Sequence, residues 1–133
     1  MERGRLVVLD THAWIWWVSD PARLGRAGRQ AITAARRVGV PAICCWELAT
    51  LAAKGRITVT PNPAVWIESA LALPLVELMP LTPAVAVEAS RLGDVFPGDP
   101  ADRMIVASAI LENGLLITKD ERLLGLRAVR SAW

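Results

Sequence analysis

Five acids carry the chemistry that this sequence could perform: Asp10, Glu47, Asp99, Asp102 and Asp120. Asp10 ends the apolar run Leu6-Val7-Val8-Leu9, and Glu47 opens a helix that follows a second apolar run. Asp99 and Asp102 open a long late helix, and Asp120 follows the run Leu115 to Thr118. Each acid therefore stands at a strand exit or a helix entry. If the strands are parallel, all of them meet at one sheet edge, although Asp10 and Asp120 are 110 residues apart. Carboxylates brought that close repel one another, which raises their pKa values unless a cation compensates. Mg²⁺ and Mn²⁺ favour oxygen ligands and are commonly held by a few carboxylates together with a substrate phosphate. Such an ion can activate water, stabilise the pentacovalent phosphate and screen the leaving oxygen. Helix N-termini add free N–H groups for phosphate. The order of residues thus suggests a metal-dependent phosphodiesterase.

Capping competes with that reading, because acids at helix N-termini also accept bonds from the first-turn amides. Asp99-Pro100-Ala101-Asp102 fits an N-cap, a proline at N1 and an acid at N3, and Glu47 occupies N3 if its helix starts near Cys44-Cys45. One such acid alone is better explained as a cap. Four on one edge are not.

The elements that must position these acids follow from hydrophobic pattern and breakers. Leu6–Leu9 reads as a strand buried on both faces, as in a parallel sheet. Helices are expected over 13–18 and 25–37, and a short strand within 38–44 begins after Pro41. Further helices span 46–54, stopped by Gly55, and 64–73, stopped by Pro74. Val76–Met79 is a third strand, 83–92 a helix, 94–100 a loop, and 100–113 an apolar helix closed by Gly114. Leu115–Thr118 is a fourth strand, 121–125 a helical turn, and Ala128–Val129 a short fifth strand. Strands alternating with helices predict an α/β fold with a sheet covered on both faces and a cleft beyond the carboxyl ends of its strands.

Composition narrows the alternatives. The chain has 133 residues, 53% hydrophobic and 21% charged, which fits one domain spanning 1–133 and excludes disorder. Mean hydropathy is +0.37, yet no apolar stretch reaches the ~18 residues of a membrane span. The opening residues lack a signal-peptide core, so a cytoplasmic protein without membrane association is expected. Cys44 and Cys45 are neighbours and His12 is the single histidine, so a structural zinc site is not expected. The net charge of +2 is uneven: no acid lies between Asp20 and Glu47, where Arg23, Arg26, Arg29, Arg36 and Arg37 cluster. That segment could face a polyanion or simply be a solvated helix face.

Taken together, Leu9-Asp10-Thr11-His12-Ala13-Trp14, Trp46-Glu47-Leu48 with Lys54-Gly55-Arg56-Ile57, Asp99-Pro100-Ala101-Asp102-Arg103-Met104-Ile105 and Ile117-Thr118-Lys119-Asp120 resemble the PIN-domain ribonucleases. More narrowly they resemble the VapC-type toxins of type II toxin-antitoxin systems, over nearly the whole chain. The resemblance implies a PIN-like three-layer fold with a parallel five-stranded sheet, and Mg²⁺- or Mn²⁺-dependent endonuclease action on RNA that leaves a 5′-phosphate and a 3′-hydroxyl. It places Asp10, Glu47, Asp102 and Asp120 as the catalytic, metal-holding quartet, with Asp10 central and Asp102 beside it. Glu47 and Asp120 would hold a second ion or orient water. Thr11 and Thr118 could hydrogen-bond ligand oxygens or coordinated water, and Asp99 assists or only caps. It also implies a VapB-like antitoxin, a homodimer, and a heterotetramer or higher assembly with that antitoxin. One position departs from the pattern: many relatives carry histidine two residues before the first aspartate of the Asp-Pro-x-Asp-Arg motif, where this chain has Pro97.

Other residues have two readings each. His12 could touch RNA or serve as a structural donor, and Arg103 could bind phosphate or pair with a carboxylate. Lys54 and Arg56 could line an RNA groove or be solvated charges around a helix stop. Trp14, Trp16 and Trp17 could stack bases, but suit core or a dimer or antitoxin interface better. A response-regulator receiver would need paired acids at the first strand end and an Asp after the third strand, and no Asp lies between Asp20 and Asp94. A haloacid-dehalogenase-type phosphatase would need Asp where His12 stands. The stronger rival is a non-catalytic PIN-like module that binds RNA or protein.

Overall fold

The computed structural model describes residues 5–96 and 98–133. Five strands form one sheet: β1 (Leu6–Leu9), β2 (Arg37–Pro41), β3 (Val76–Met79), β4 (Leu115–Ile117) and β5 (Ser131–Ala132). Their order is β3-β2-β1-β4-β5, and every pairing is parallel. The helices are α1 (Thr11–Ser19), α2 (Arg26–Ala34), α3 (Ala42–Ala53), α4 (Pro63–Leu71), α5 (Pro83–Arg91), α6 (Pro100–Leu111) and α7 (Glu121–Leu124), with 3₁₀ turns at Pro21–Arg23 and Leu92–Asp94. Among the described residues no helix is long and apolar enough to cross a membrane.

The sheet is apolar because it is covered. All four residues of β1 are buried, with Val7, Val8 and Leu9 fully so, each contributing roughly 1.5–3 kcal/mol of transfer free energy. Helix α6 packs across β1, β2 and β4, and buries Ile105, Val106, Ala107 and Ala109. Its N-terminus follows the sequence signal, with Asp99 as N-cap and Pro100 at N1. Asn62-Pro63 and Thr82-Pro83 start α4 and α5 in the same way.

Several boundaries differ from expectation. The helix expected to reach Arg37 ends at Ala34, and Arg37 instead opens β2, paired with Leu6. Pro41 ends β2 rather than preceding its strand, paired with Met79, and α3 starts at the next residue. Glu47 is therefore in the second turn of α3, where no first-turn amide needs a cap, so capping does not explain it. The fifth strand is Ser131–Ala132, not Ala128–Val129, because Leu116 pairs with Ser131. At the end of α6 the left-handed residue is Asn113 (φ 53°), not Gly114, which instead lies close against Val8 and Leu6.

β1 is central, β2 and β3 extend to one side, and the chain then returns to place β4 and β5 on the other. The strand order reverses between β1 and β4, the position where open parallel sheets form their cleft.

Candidate active site

That reversal point holds a cleft of ≈ 740 Å³, lined among others by Asp10, Glu47, Asp99, Asp102 and Asp120. Chain elements far apart in sequence deliver them. The Asp10 amide donates to the Ile117 carbonyl (3.2 Å), which fastens the end of β1 to the end of β4, and the Asp10 carboxylate accepts from the Ala13 amide (2.9 Å) as N-cap of α1. Asp99 caps α6 by accepting from the Ala101 amide (2.8 Å), which leaves Asp102 in the first turn. Asp120 caps α7, accepting from the Arg122 amide (2.9 Å). Three of the acids are thus caps and cleft residues at once: capping is how the fold aims them.

Two threonines fix this geometry. Buried Thr11 donates its hydroxyl to Glu47 Oε1, which ties α1 to α3. Thr118 is fully buried, and its Oγ1 accepts from the Asp120 amide (3.1 Å), which sets the turn after β4. Its own amide donates to the Ala132 carbonyl (3.1 Å).

The acids are electrostatically coupled. Burial raises the Asp10 carboxyl above its ordinary value, with the Thr118 hydroxyl and the Ala13 amide opposing it. Burial raises Glu47 too; the Thr11 hydroxyl opposes the rise and the Asp99 charge adds to it. Asp102 is pushed up to about 7, first by burial and then by the charges of Glu47, Asp99 and Asp120. Asp120 moves the other way, because the Arg122 guanidinium hydrogen-bonds it. A carboxyl that remains half protonated at neutral pH beside three others marks a site short of positive charge.

The donor set fits a hard divalent cation. The acids that face the cleft offer only carboxylate oxygens, His12 is the single imidazole, and no thiol lines it. Among the described residues no three such groups already close on one point, so an ion there would complete its shell with water and phosphate oxygens, as Mg²⁺ commonly does.

The sequence matches the PIN domain over residues 7–129. The chain belongs to the PIN domain family. It is 43% identical over 117 residues to Ribonuclease VapC22 of Mycobacterium tuberculosis (strain ATCC 25618 / H37Rv), a match covering 88% of each chain. In solved structures this PIN domain is similar to VapBC2 from Rickettsia felis bound to a DNA fragment from their promoter, with TM-score 0.71, 12% identity, and 96% and 97% of the two chains covered. It is equally similar to DNA-bound VapBC from Salmonella typhimurium, with TM-score 0.71, 18% identity and the same coverage. The five-stranded parallel sheet with its helices is thus a PIN-like fold.

Residues singled out in the sequence are distributed unequally around this PIN-domain cleft. Asp10, Thr11, His12, Glu47, Lys54, Asp99, Asp102 and Asp120 line it, and Thr118 lies beneath it. Arg56 and Arg103 do not line it. Arg56 is exposed beyond a Schellman turn, in which its amide donates to the Leu51 carbonyl (2.9 Å) and Gly55 takes φ 72°. Arg103 lies by Gly93, where a Cβ would come within 2.9 Å of its Nη1. The expectation attached to Pro97 lies outside the described residues. Of the arginine cluster, Arg37 is committed to Glu77 through two hydrogen bonds (2.6 and 3.1 Å), which leaves Arg23, Arg26, Arg29 and Arg36 exposed.

Arg122, which meets two of the acids, had no sequence signal. Arg122 donates from Nε to Asp120 Oδ1 (3.1 Å) and from Nη2 to Asp120 Oδ2 (2.7 Å) and Asp102 Oδ2 (3.4 Å). An arginine two residues after an acid on a short helix looks like any surface charge. Lys119 lines the cleft with its ammonium 5.6 Å from the Trp16 ring centre, and Arg23 stands 4.8 Å over the same ring. Trp46 also lines it, 61% exposed.

Proposed function

We propose that this chain is a Mg²⁺- or Mn²⁺-dependent endoribonuclease toxin of a VapBC-like system, hydrolysing RNA phosphodiesters until a VapB-like antitoxin restrains it. The observation that carries the reading is the convergence of Asp10, Glu47, Asp102 and Asp120 from four separate chain segments into one cleft, where burial and neighbouring charge raise the pKa values of Asp10, Glu47 and Asp102. Glu47 is decisive within that set, because it caps nothing. A module that only bound RNA or protein would gain nothing from carboxylates that repel one another and the phosphates of its ligand. The relative named as a ribonuclease supports the substrate class, and the resemblance to VapBC complexes supports the antitoxin.

In this reading Asp10 and Asp102 hold the ion, with Glu47 and Asp120 at its flanks. The bound cation supplies neutralisation of the phosphodiester and acidification of the attacking water. The residues around it do the positioning. Thr11 engages one oxygen of Glu47, which leaves Oε2 to orient water for in-line attack on phosphorus. The N-terminal amides of α1 and α6 point their dipoles toward the anionic centre. Lys119 and Lys54 lie on the cleft walls, where they meet neighbouring phosphates of the strand. Cleavage of the P–O3′ bond then leaves a 3′-hydroxyl and a 5′-phosphate. The assembly with antitoxin takes a toxin homodimer, for which exposed Leu78, Leu81 and Val87 supply apolar surface.

Induced expression in a bacterial host tests the reading: wild-type chain arrests growth, and Asp10→Asn at equal soluble level does not. Arrest by both would reject it.

A further inference from the structure

The six tryptophans are not equivalent. Trp14 is fully buried and meets Trp66 edge-on at 5.2 Å. Trp16 is surrounded by His12 (5.5 Å), Trp133 (5.6 Å), Arg23 and Lys119. Trp17, Trp66 and Trp133 pack against the core. Among the described residues Trp46 alone packs against neither ring nor core, and it is exposed at the rim of the acidic cleft, one residue before Glu47. Left open beside the acids, that indole is free for a ligand to cover.

Its surroundings indicate which ligand. Trp46 and Thr50 of α3 and its C-cap Lys54 are spaced i, i+4 and i+8 and all line the cleft, so one row runs from an aromatic plane beside the acids to a lysine whose backbone lies about 12 Å further along the helix axis. The Schellman turn at Gly55 fixes the end of that row. Across the cleft, Lys119 and Arg23 lie on Trp16 and add positive charge on the other wall. An exposed ring on the rim of a cleft lined also by Lys54 and Lys119 matches the recognition of single-stranded nucleic acid, in which bases stack on aromatic planes and cations track the phosphates. We infer that Trp46 is the stacking platform for an unpaired RNA base next to the scissile phosphate, with Lys54 holding the backbone beyond it. This rests on the ribonuclease reading above. Because any base has a π-face, the contact tolerates sequence but requires an unpaired strand.

The test is the affinity of labelled oligouridylate, and of the same strand with abasic residues, for wild type, Trp46→Ala and Trp46→Phe, with Ca²⁺ in place of Mg²⁺ and thermal melting of each protein in parallel. Trp46→Ala is expected to weaken binding of the base-bearing strand by roughly 10-fold or more while leaving the abasic strand unchanged, and Trp46→Phe to restore most of the loss. With cleavable RNA and Mg²⁺, Trp46→Ala raises KM more than it lowers kcat. Equal weakening of both strands would overturn the inference in favour of a general effect on the cleft. Unchanged affinity for both would overturn it and leave the exposed ring to a protein partner. Base-dependent binding through Trp46 in a wild-type protein that cuts no RNA would spare the stacking and strike the ribonuclease reading alone.

Discussion

Arg122 holds Asp120 in a two-pronged grip, Nε on Oδ1 at 3.1 Å and Nη2 on Oδ2 at 2.7 Å, and the same Nη2 reaches Asp102 at 3.4 Å. The guanidinium thus occupies the side of the cleft where two members of the quartet need a counter-charge, and it competes with any cation these acids would share. Being largely exposed, it can swing away without loss of packing. Arg122→Gln is expected to tighten Mn²⁺ binding severalfold by calorimetry at alkaline pH, where Asp102 is ionised in both proteins. Weaker binding would mean that Arg122 organises the acids rather than competing for them.

The coupling among the acids predicts an unusual pH dependence of stability. Asp102 titrates at about 7 in the folded chain against 3.8 when unconstrained, so between those values the folded state binds more protons than the unfolded one. Stability therefore falls as pH rises from about 4 through 7, and the upward shifts of Asp10 and Glu47 add to the fall. Metal-free protein melts at a higher temperature at pH 5 than at pH 8, and Asp102→Asn gains on the order of 2 kcal/mol at pH 8. Saturating Mg²⁺ flattens the wild-type profile. Melting curves in EDTA check this; a destabilised Asp102→Asn at pH 8 would refute it.

Thr11 and Glu47, 36 residues apart, are joined by one hydroxyl hydrogen bond. Thr11→Val keeps the buried volume and removes the donor, at a stability cost of about 1 kcal/mol. Because that hydroxyl lowers the Glu47 pKa, its loss moves the acid limb of the cleavage pH profile upward while kcat on the plateau falls. A profile that drops without shifting would show that Thr11 acts through packing alone.

How much of this was legible beforehand depends on the physics of each element. Leu6–Leu9 and Val76–Met79 coincide with the strands expected from their apolar runs, and the N-cap at Asp99 follows from a side chain that accepts from its own first turn. Asp10, Glu47, Asp102 and Asp120 were readable as a group because parallel strands put their exits on one edge. Pro41 misled, because a proline can close a strand as readily as precede one, and its placement shifted Glu47 from the first turn of α3 to the second. β5 was expected but placed at Ala128–Val129 instead of Ser131–Ala132, because two residues carry no period. The role of Arg122 and the bareness of Trp46 are tertiary facts: local sequence does not say which acid an arginine meets, nor that an indole is left uncovered.

The central claim is that the quartet performs metal-dependent RNA hydrolysis, and cleavage of end-labelled total RNA by purified, antitoxin-free protein tests it most directly. Wild type with Mg²⁺ or Mn²⁺ should produce discrete fragments bearing 5′-phosphates, EDTA should abolish them, and Asp10→Asn with an unchanged circular-dichroism spectrum should produce none. Fragments that persist with Asp10→Asn or in EDTA, or no cleavage by folded, Mn²⁺-binding wild type, would contradict the account.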